Sequence, residues 1–387
     1  MNLSSGFSID PCAPWVVAHN REVREVLAAF QADRPIRVPL LCGEWHGQHG
    51  LYADEINVDY RQYYTDPDLM LRVQLEAARR RRELPIYDMV LAEPPERWSA
   101  SVDLWPVVAP GWVGCRLVYR ADAQIAHQGI RLSREDADRM TMPDPVRGGL
   151  LKTSHEFWSY LRERYRDFTF LGRLLGPIGH GVGHNGFFSL CLDVRGEEVM
   201  ADMYEEPEFA QRFLTKIASW CVELDRTWKK LGGAGDGPSA FGISDHGIDM
   251  LSPQTYERFV VPVIAEMNRR AGTVAPKSLH HCGRGAHLFP IIRKHFGLES
   301  INILTWPFVD VARVRRELGE AVWIQAVVAD HIVRQGPAER IRDAVREVMK
   351  AKGRGRFALN VGDMLRGTPL ERRLALYEAV KEFGRYS

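Results

Sequence analysis

Short apolar runs alternate with long amphipathic stretches along most of this chain, and that alternation limits the possible folds more than any other feature. The stretches between the runs carry helix signals, such as Asp-Pro at the start of residues 66–83 and Lys-Lys before the glycine that ends residues 206–232. Strands that alternate with helices imply a parallel sheet. We therefore expect an α/β fold, a single closed (β/α)8 TIM-type barrel, with an open doubly wound sheet as the rival. The runs with strand length and composition are residues 36–41, 167–172, 239–244, 277–282, 300–304, 321–328 and 356–361.

The nucleotide-binding versions of the open sheet lack support in the sequence. The first predicted strand is not followed by G-x-G-x-x-G, and no P-loop motif is present. The glycine-rich residues 176–186 contain no lysine that could meet a phosphate. We expect residues 1–34 to form an N-terminal extension and residues 35–387 to form the barrel.

Composition argues against nucleic-acid and membrane partners. Fifty-one Lys and Arg against fifty Asp and Glu give a net charge of +1, so nothing in the balance points to a phosphate backbone or an anionic membrane, which favour a concentrated basic face. The six cysteines are scattered without a C-x-x-C pair, as is typical of a reducing compartment. The first residues lack the pattern of a signal peptide, and the apolar runs are shorter than a membrane span. We expect a cytoplasmic protein that acts on a small molecule.

Reactive side chains collect just after the predicted strands. In a (β/α)8 barrel the carboxyl ends of all strands open onto one face, where barrel enzymes build their active sites. The pattern therefore predicts one polar site at that face. Its candidate members are Glu44, His46, His49, His180, His184, Asp245, His246, His280, Cys282, Trp306 and Asp363.

His280 and Cys282 are the strongest candidates for metal ligands. Residues two positions apart on a strand point to the same side, as joint coordination requires. Imidazole and thiolate together suit Zn²⁺, which takes four tetrahedral ligands. The remaining ligands would come from other strand ends, with Asp363, Glu44, His46 and His246 as candidates. The alternative is a buried cysteine beside a hydrogen-bonded histidine, without metal.

Several stretches, taken together and in order, resemble the uroporphyrinogen decarboxylase superfamily over residues 35–387. That resemblance implies a (β/α)8 barrel, in agreement with the alternation of strands and helices. The stretches that carry it are residues 70–90, 101–119, 194–214, 244–264 with Asp245 before Leu-Ser-Pro, and "GTPLERR" at 367–373.

The decarboxylase branch of this superfamily fits the chain poorly. Its members hold the substrate's carboxylates with two arginines of an Arg-Gln-Ala-Gly-Arg-Tyr loop. The matching residues 47–52 read "GQHGLY", with Gly47 and Leu51 in place of the arginines, and neither can supply a guanidinium. Asp103 fits the family aspartate, whereas His246 occupies the place of a serine and the C-terminal Gly-His-Gly is absent.

The other branch comprises zinc-dependent methyltransferases that pass a methyl group between a corrinoid protein and a thiol or methylated small molecule. They carry His-x-Cys-Gly and, about eighty residues later, a cysteine before Thr-Pro-Leu-Glu. This chain has "HHCG" at 280–283 and "TPLE" at 368–371 but lacks that cysteine. The resemblance therefore implies that Asp363, Glu44 or His46 takes its place, or that the metal is lost. No D-x-H-x-x-G corrinoid motif occurs, so the corrinoid would come from a separate partner protein.

These observations predict a methyltransferase with His280, Cys282, Asp363 and Glu44 around Zn²⁺. Asp245 and His246 would orient a ligand or carry a proton. The substrate would contact His46, His49, His180, His184 and Trp306. The alternative is a metal-independent decarboxylase acting on an acid other than uroporphyrinogen, with Asp103 and Asp245 at its centre. A non-enzymatic binding protein on a barrel scaffold is the third hypothesis.

Overall fold

A computed structural model describes residues 3–42, 50, 52–105, 107–233, 243–272, 277–362 and 366–386. Its central feature is a sheet of six parallel strands, namely β1 (Leu40–Leu41), β6 (Ile243–Ser244), β7 (Ser278–His280), β8 (Ser300–Trp306), β9 (Trp323–Val328) and β10 (Phe357–Asn360). Their spatial order is β1-β10-β9-β8-β7-β6.

Two further parallel segments stand between β1 and β6 along the chain. Bridges join Trp98 to Leu175 and Ser101 to Gly179, both in the parallel sense. Residues 98–101 and 175–179 thus form a further parallel pair, so eight segments within the described ranges take part in parallel pairing. The predicted (β/α)8 architecture is confirmed.

One predicted barrel strand is wrong. Residues 169–174 form an antiparallel hairpin, β4 (Thr169–Phe170) with β5 (Arg173–Leu174), and the barrel segment begins one residue later. Leu171 and Gly172 at the hairpin's tip have φ of 46° and 73°, so the chain reverses where a continuous strand was expected. A second antiparallel hairpin joins β2 (Arg116–Val118) and β3 (Ala126–Gln128).

Helices surround the sheet, and several begin where the sequence signals them. Asp66 accepts hydrogen bonds from the first backbone N–H groups of α3, with Pro67 in its first turn. The helices are α1 (Pro14–Gln31), α2 (Tyr60–Tyr63), α3 (Pro67–Arg80), α4 (Val108–Trp112), α5 (Arg134–Arg139), α6 (Leu150–Arg164), α7 (Phe187–Arg195), α8 (Glu198–Glu205), α9 (Pro207–Leu231), α10 (Pro253–Thr255), α11 (Val261–Ala271), α12 (Phe289–Phe296), α13 (Val311–Leu318), α14 (Asp330–Gln335), α15 (Ala338–Met349) and α16 (Leu370–Phe383).

Helix α1 lies within the predicted N-terminal extension and packs on the rest of the fold. The side chain of Asn20 donates to the carbonyl of Leu91 at 3.0 Å and accepts from its N–H at 2.7 Å. Burying the Asn20 side-chain amide and the Leu91 backbone without these two hydrogen bonds would be costly, so the bonds hold α1 against the rest of the fold. Among the described residues, every helix is too short or too polar to reach across a bilayer.

Candidate metal centre

His246, His280 and Cys282 form a cluster at the carboxyl ends of two neighbouring strands. Their ligand atoms all lie within 4.8 Å of one another. His280 ends β7 and Cys282 follows it, while His246 comes two residues after β6. Because β6 and β7 pair in parallel with Ser244 opposite His280, the residues after each strand meet at the same edge. The structure thus brings the predicted pair together with His246.

The geometry of the cluster suits a zinc ion. The Nδ1 atom of His246 lies 3.0 Å from Sγ of Cys282, and the rings of His246 and His280 stand 5.6 Å apart at 83°. Tetrahedral zinc holds neighbouring nitrogen and sulfur ligands about 3.3–3.6 Å apart. Two imidazoles and one thiol supply the donors that this metal prefers. Small side-chain shifts would bring the three donors to coordination distances, so the residues fit the metal.

Asn302 orients His280 for such a role. Nδ1 of His280 lies 2.7 Å from Oδ1 of Asn302, and the two residues face each other in register on β7 and β8. Because an amide oxygen only accepts, the imidazole carries its proton on Nδ1 and keeps the Nε2 lone pair for a metal. Histidines that bind zinc commonly donate their other N–H to a protein oxygen in this way.

Ser189, in α7, holds the segment that carries His246. Its N–H and hydroxyl donate to Oδ1 of Asp245 at 3.0 and 3.3 Å, and its Oγ accepts from the N–H of His246 at 3.1 Å. Gly186 lets the start of α7 approach the end of β6 closely. Its φ is +96°, and an added Cβ would overlap Ser244 O and Asp245 Oδ1. The end of β6 is therefore anchored to α7 through Ser189, and the backbone of Phe188 adds a further hydrogen bond to Asp245.

Burial dominates the ionisation of this region. It raises the pKa of Asp245, which is 2% exposed, to about 7 despite the hydrogen bonds from Ser189. Burial, with the neighbouring His280 and His281, lowers the pKa of His246 to about 4. His246 is therefore neutral at pH 7, which is the form that binds a metal.

His180 and His184, the predicted substrate contacts, bond to backbone and to Asp225, and the charge of Asp245 also acts on His184. Nδ1 of each accepts the backbone N–H two residues later, from Val182 and Gly186. The ring of His180 packs on two tryptophans and lines a cavity of about 470 Å³ between α6 and α9. Nε2 of His184 lies 3.4 Å from a carboxylate oxygen of Asp225. Burial alone would lower the pKa of His184, but the charge of Asp225 and the hydrogen bond to it raise it.

Asp103 and Trp306 also have neighbours other than the cluster. Asp103 is buried, and Oδ2 of its carboxylate accepts the hydroxyl proton of Tyr63 at 2.7 Å. Trp306 ends β8 and lines a cavity of about 380 Å³ with residues of α13 and α15.

Four predicted site residues lie outside the described residues, namely Glu44, His46, His49 and Asp363. Their roles as ligands or substrate contacts stay predictions. Sequence reasoning missed Asn302, Ser189 and His281, which support the cluster. Of these, only His281 has a local signal, because it stands between the two predicted ligands.

The chain is similar to proteins of one known family. The family model of uroporphyrinogen decarboxylase (URO-D) matches residues 22–383. The chain is 26% identical over 185 residues to the uroporphyrinogen decarboxylase of Crocosphaera subtropica, covering 46% of this chain and 49% of that protein. It is 31% identical over 183 residues to the chloroplastic uroporphyrinogen decarboxylase 2 of Arabidopsis thaliana, covering 46% and 44%. These matches thus span about half the length of those curated relatives.

A solved structure with the same fold is a methyltransferase from Methanosarcina mazei. The two superpose with a TM-score of 0.61, over 93% of this chain and 98% of the other, at 18% sequence identity. At that identity the likeness establishes the shared fold alone. It agrees with the eight parallel segments of the barrel.

Proposed function

The chain belongs to the uroporphyrinogen decarboxylase (URO-D) family, and from that premise we propose that it is a zinc-dependent methyltransferase. It would move a methyl group between a small methylated substrate or a thiol and a corrinoid held by a separate protein. The observation that carries the proposal is the cluster of His246, His280 and Cys282. The fold shared with the methyltransferase from Methanosarcina mazei supports it.

Each residue of the cluster and of its surroundings would have a separate role. His246, His280 and Cys282 would hold the metal, and Asn302 would keep Nε2 of His280 directed toward it. When bound, Zn²⁺ supplies a Lewis acid to which a substrate heteroatom can bind. Asp245, held by Ser189, would fix the backbone on which His246 stands. A fourth position at the metal would be left for substrate or for a ligand from the residues that the structure does not describe.

The donor set favours one kind of substrate. One thiolate and two neutral imidazoles would leave a divalent cation with one net positive charge among the described ligands. A second thiolate in place of His246 would cancel that charge. A more positive metal polarises an oxygen or nitrogen leaving group more strongly. If substrate fills the fourth position, we therefore favour a methoxy or methylamino compound as methyl donor over a free thiol as acceptor. A carboxylate from Asp363 or Glu44 at that position would cancel the charge and remove this preference.

The second candidate is a metal-independent decarboxylase. The curated relatives named above are uroporphyrinogen decarboxylases, and Asp103 is a buried carboxylate bonded to Tyr63. The substitutions Gly47 and Leu51 at the two arginine positions speak against the same substrate. This reading requires activity without metal.

Metal analysis separates the two candidates. We expect close to one zinc per chain after purification, and loss of that zinc in Cys282→Ser and His246→Ala. The matched control is Cys12→Ser, because Cys12 is an exposed thiol in the N-terminal segment, outside the cluster. Zinc retained in C12S and lost in C282S supports the metal centre. A protein that stays free of zinc at saturating concentrations and still releases CO₂ from an acid would refute methyl transfer.

The methyl-transfer step is tested separately with free corrinoid. Reduced cob(I)alamin and methylcob(III)alamin differ in their visible spectra, so transfer in either direction can be followed without the natural partner. The zinc-loaded protein should convert one form to the other with a methoxylated or methylamino donor. C282S should lose this conversion, and C12S should keep it.

A further inference from the structure

We propose that His281 is a positioning residue whose imidazole ties together the two chain segments that carry His246 and Cys282. The proposal rests on the metal centre proposed above but not on the identity of the substrate. It concerns the middle residue of the His280-His281-Cys282 sequence, which the ligand pattern leaves without a role.

Both ring nitrogens of His281 are engaged inside the protein. The residue is 0% exposed. Nε2 accepts the backbone N–H of Gly285 at 2.8 Å, and Nδ1 lies 3.1 Å from the carbonyl oxygen of Asp245. A backbone N–H can only donate and a carbonyl can only accept. The ring must therefore carry its proton on Nδ1, as one neutral tautomer that satisfies both partners.

These two bonds reach the chain beside both ligands. The carbonyl of Asp245 belongs to the peptide bond that leads into His246, and His281 itself precedes Cys282. One imidazole thus joins the segment before His246 to the segment before Cys282. The distance of 3.0 Å between His246 Nδ1 and Cys282 Sγ depends on how these segments are held. The bond to Gly285 closes the turn after Cys282 onto the same ring.

The neighbouring glycines fit this arrangement. A Cβ on Gly285 would lie 2.6 Å from Nε2 of His281, and a Cβ on Gly283 would lie 3.0 Å from the same atom. Gly283 also faces Oδ2 of Asp249, which would be 2.8 Å from its Cβ. A side chain at position 285 would therefore displace the imidazole, and one at position 283 would press on the imidazole and on Asp249. In the sequence His-His-Cys-Gly-Arg-Gly, His280 and Cys282 are then ligands, His281 positions them, and the two glycines leave room for its imidazole.

A histidine that only packs in the core would behave differently from His281 when it is replaced. Its loss would lower stability without changing the spacing of the three donors. The bond to Asp245 lies on the β6 side of the cluster and the bond to Gly285 lies on the β7 side, so the two bonds can be removed separately. Asparagine places an amide N–H near the position of Nδ1, whereas glutamine places an amide oxygen near the position of Nε2.

The test uses the full-length protein and Co²⁺ in place of zinc, because the Co²⁺ absorption bands report ligand type and geometry. His281→Asn keeps the bond to Asp245, His281→Gln keeps the bond to Gly285, and His281→Ala keeps neither. The control is His287→Gln, since His287 bonds to the backbone of Leu251 and lies outside the cluster. Zinc affinity is measured by competition with a chelator, and thermal unfolding is followed in parallel.

We expect H281A to weaken zinc binding ten- to hundredfold, as loss of residues that support metal ligands typically does. H281N should stay within a few-fold of the wild type in affinity and keep its Co²⁺ spectrum. H281Q should lose affinity and show shifted bands, and H287Q should match the wild type. If H281A does not fold, the comparison of H281N with H281Q decides.

Equal zinc affinity and identical Co²⁺ spectra in the wild type, H281N and H281Q would overturn the positioning role while leaving the metal centre intact. Equal losses in H281N and H281Q that follow their losses of thermal stability would also overturn it. A wild-type protein that binds neither Co²⁺ nor Zn²⁺ would refute the metal centre, and the positioning role with it.

Discussion

Replacing Asn302 with leucine tests whether His280 is oriented for a metal. The two side chains have similar size, so the change removes the acceptor of the 2.7 Å bond without opening a large cavity. In the metal-bound protein the Nδ1–H of His280 would be fixed against an apolar side chain. In the metal-free protein the partly exposed ring can turn and recover a partner. The cost therefore falls on the metal-bound state.

The expected loss of zinc affinity follows from leaving the Nδ1–H of His280 without an acceptor in the metal-bound state only. A buried donor left without an acceptor costs about 1–3 kcal/mol, which corresponds to roughly a 5- to 150-fold loss of affinity. We expect zinc to bind Asn302→Leu about tenfold more weakly than the wild type. Asn302→Asp should bind at least as tightly as the wild type, because a carboxylate is a stronger acceptor for an imidazole N–H.

The assay is zinc competition with a chromophoric chelator at pH 7.5, with thermal unfolding of the metal-free proteins as a check of folding. The expected order of affinity is N302D, then wild type, then N302L. Equal affinity in N302L and the wild type would refute the orienting role of Asn302. So would N302D as weak as N302L, because then the loss would come from disturbed packing.

Three further predictions concern the surroundings of the cluster. Gly186→Ala should lower the free energy of unfolding by about 3 kcal/mol or prevent folding, because the positive φ and the overlap with Ser244 O leave no room for a Cβ; urea unfolding measures it. Burial raises the pKa of Asp245 to about 7 in the folded protein, so the folded state binds more protons than the unfolded state between about pH 4 and 7. The free energy of unfolding of the metal-free wild type should therefore fall relative to that of Asp245→Asn as pH rises through that window, by up to about 1.4 kcal/mol per pH unit. A difference between the two proteins that stays constant with pH would contradict this. Asp225→Asn should lower the pKa of His184, because burial then acts against the charge of Asp245 alone; NMR titration of the ring protons checks it, and an unchanged pKa would count against the ion pair.

Much of the fold could be predicted because its signals are local. The Asp66-Pro67 start of α3 lies where the sequence places it, and the apolar runs that form β8, β9 and β10 need no distant partner to be identified. The segments at 98–101 and 175–179 escaped notice because they are short and contain glycine or polar residues. At 167–172, strand composition concealed the turn at Leu171 and Gly172, whose backbone conformation composition does not reveal.

Part of the site could likewise be predicted from residues close in sequence, whereas the rest depends on residues far apart in sequence. His280 and Cys282 could be paired because their spacing is local. The approach of His246 depends on the register of β6 against β7, and that register is set by side chains far apart in sequence. Asn302 and Ser189 carry no signal of their own, since each acts only through the strand or helix that brings it to the cluster. His180 and His184 follow a strand as expected, but their ring nitrogens bond to nearby backbone and to Asp225.

X-ray absorption at the zinc K edge of the purified protein tests the metal centre most directly. The cluster predicts one sulfur at about 2.3 Å and at least two imidazole nitrogens at about 2.0–2.1 Å, with the sulfur lost in C282S. A first shell of oxygen and nitrogen without sulfur, unchanged in C282S, would show that zinc binds elsewhere. That result would contradict the assignment of His246, His280 and Cys282 as ligands.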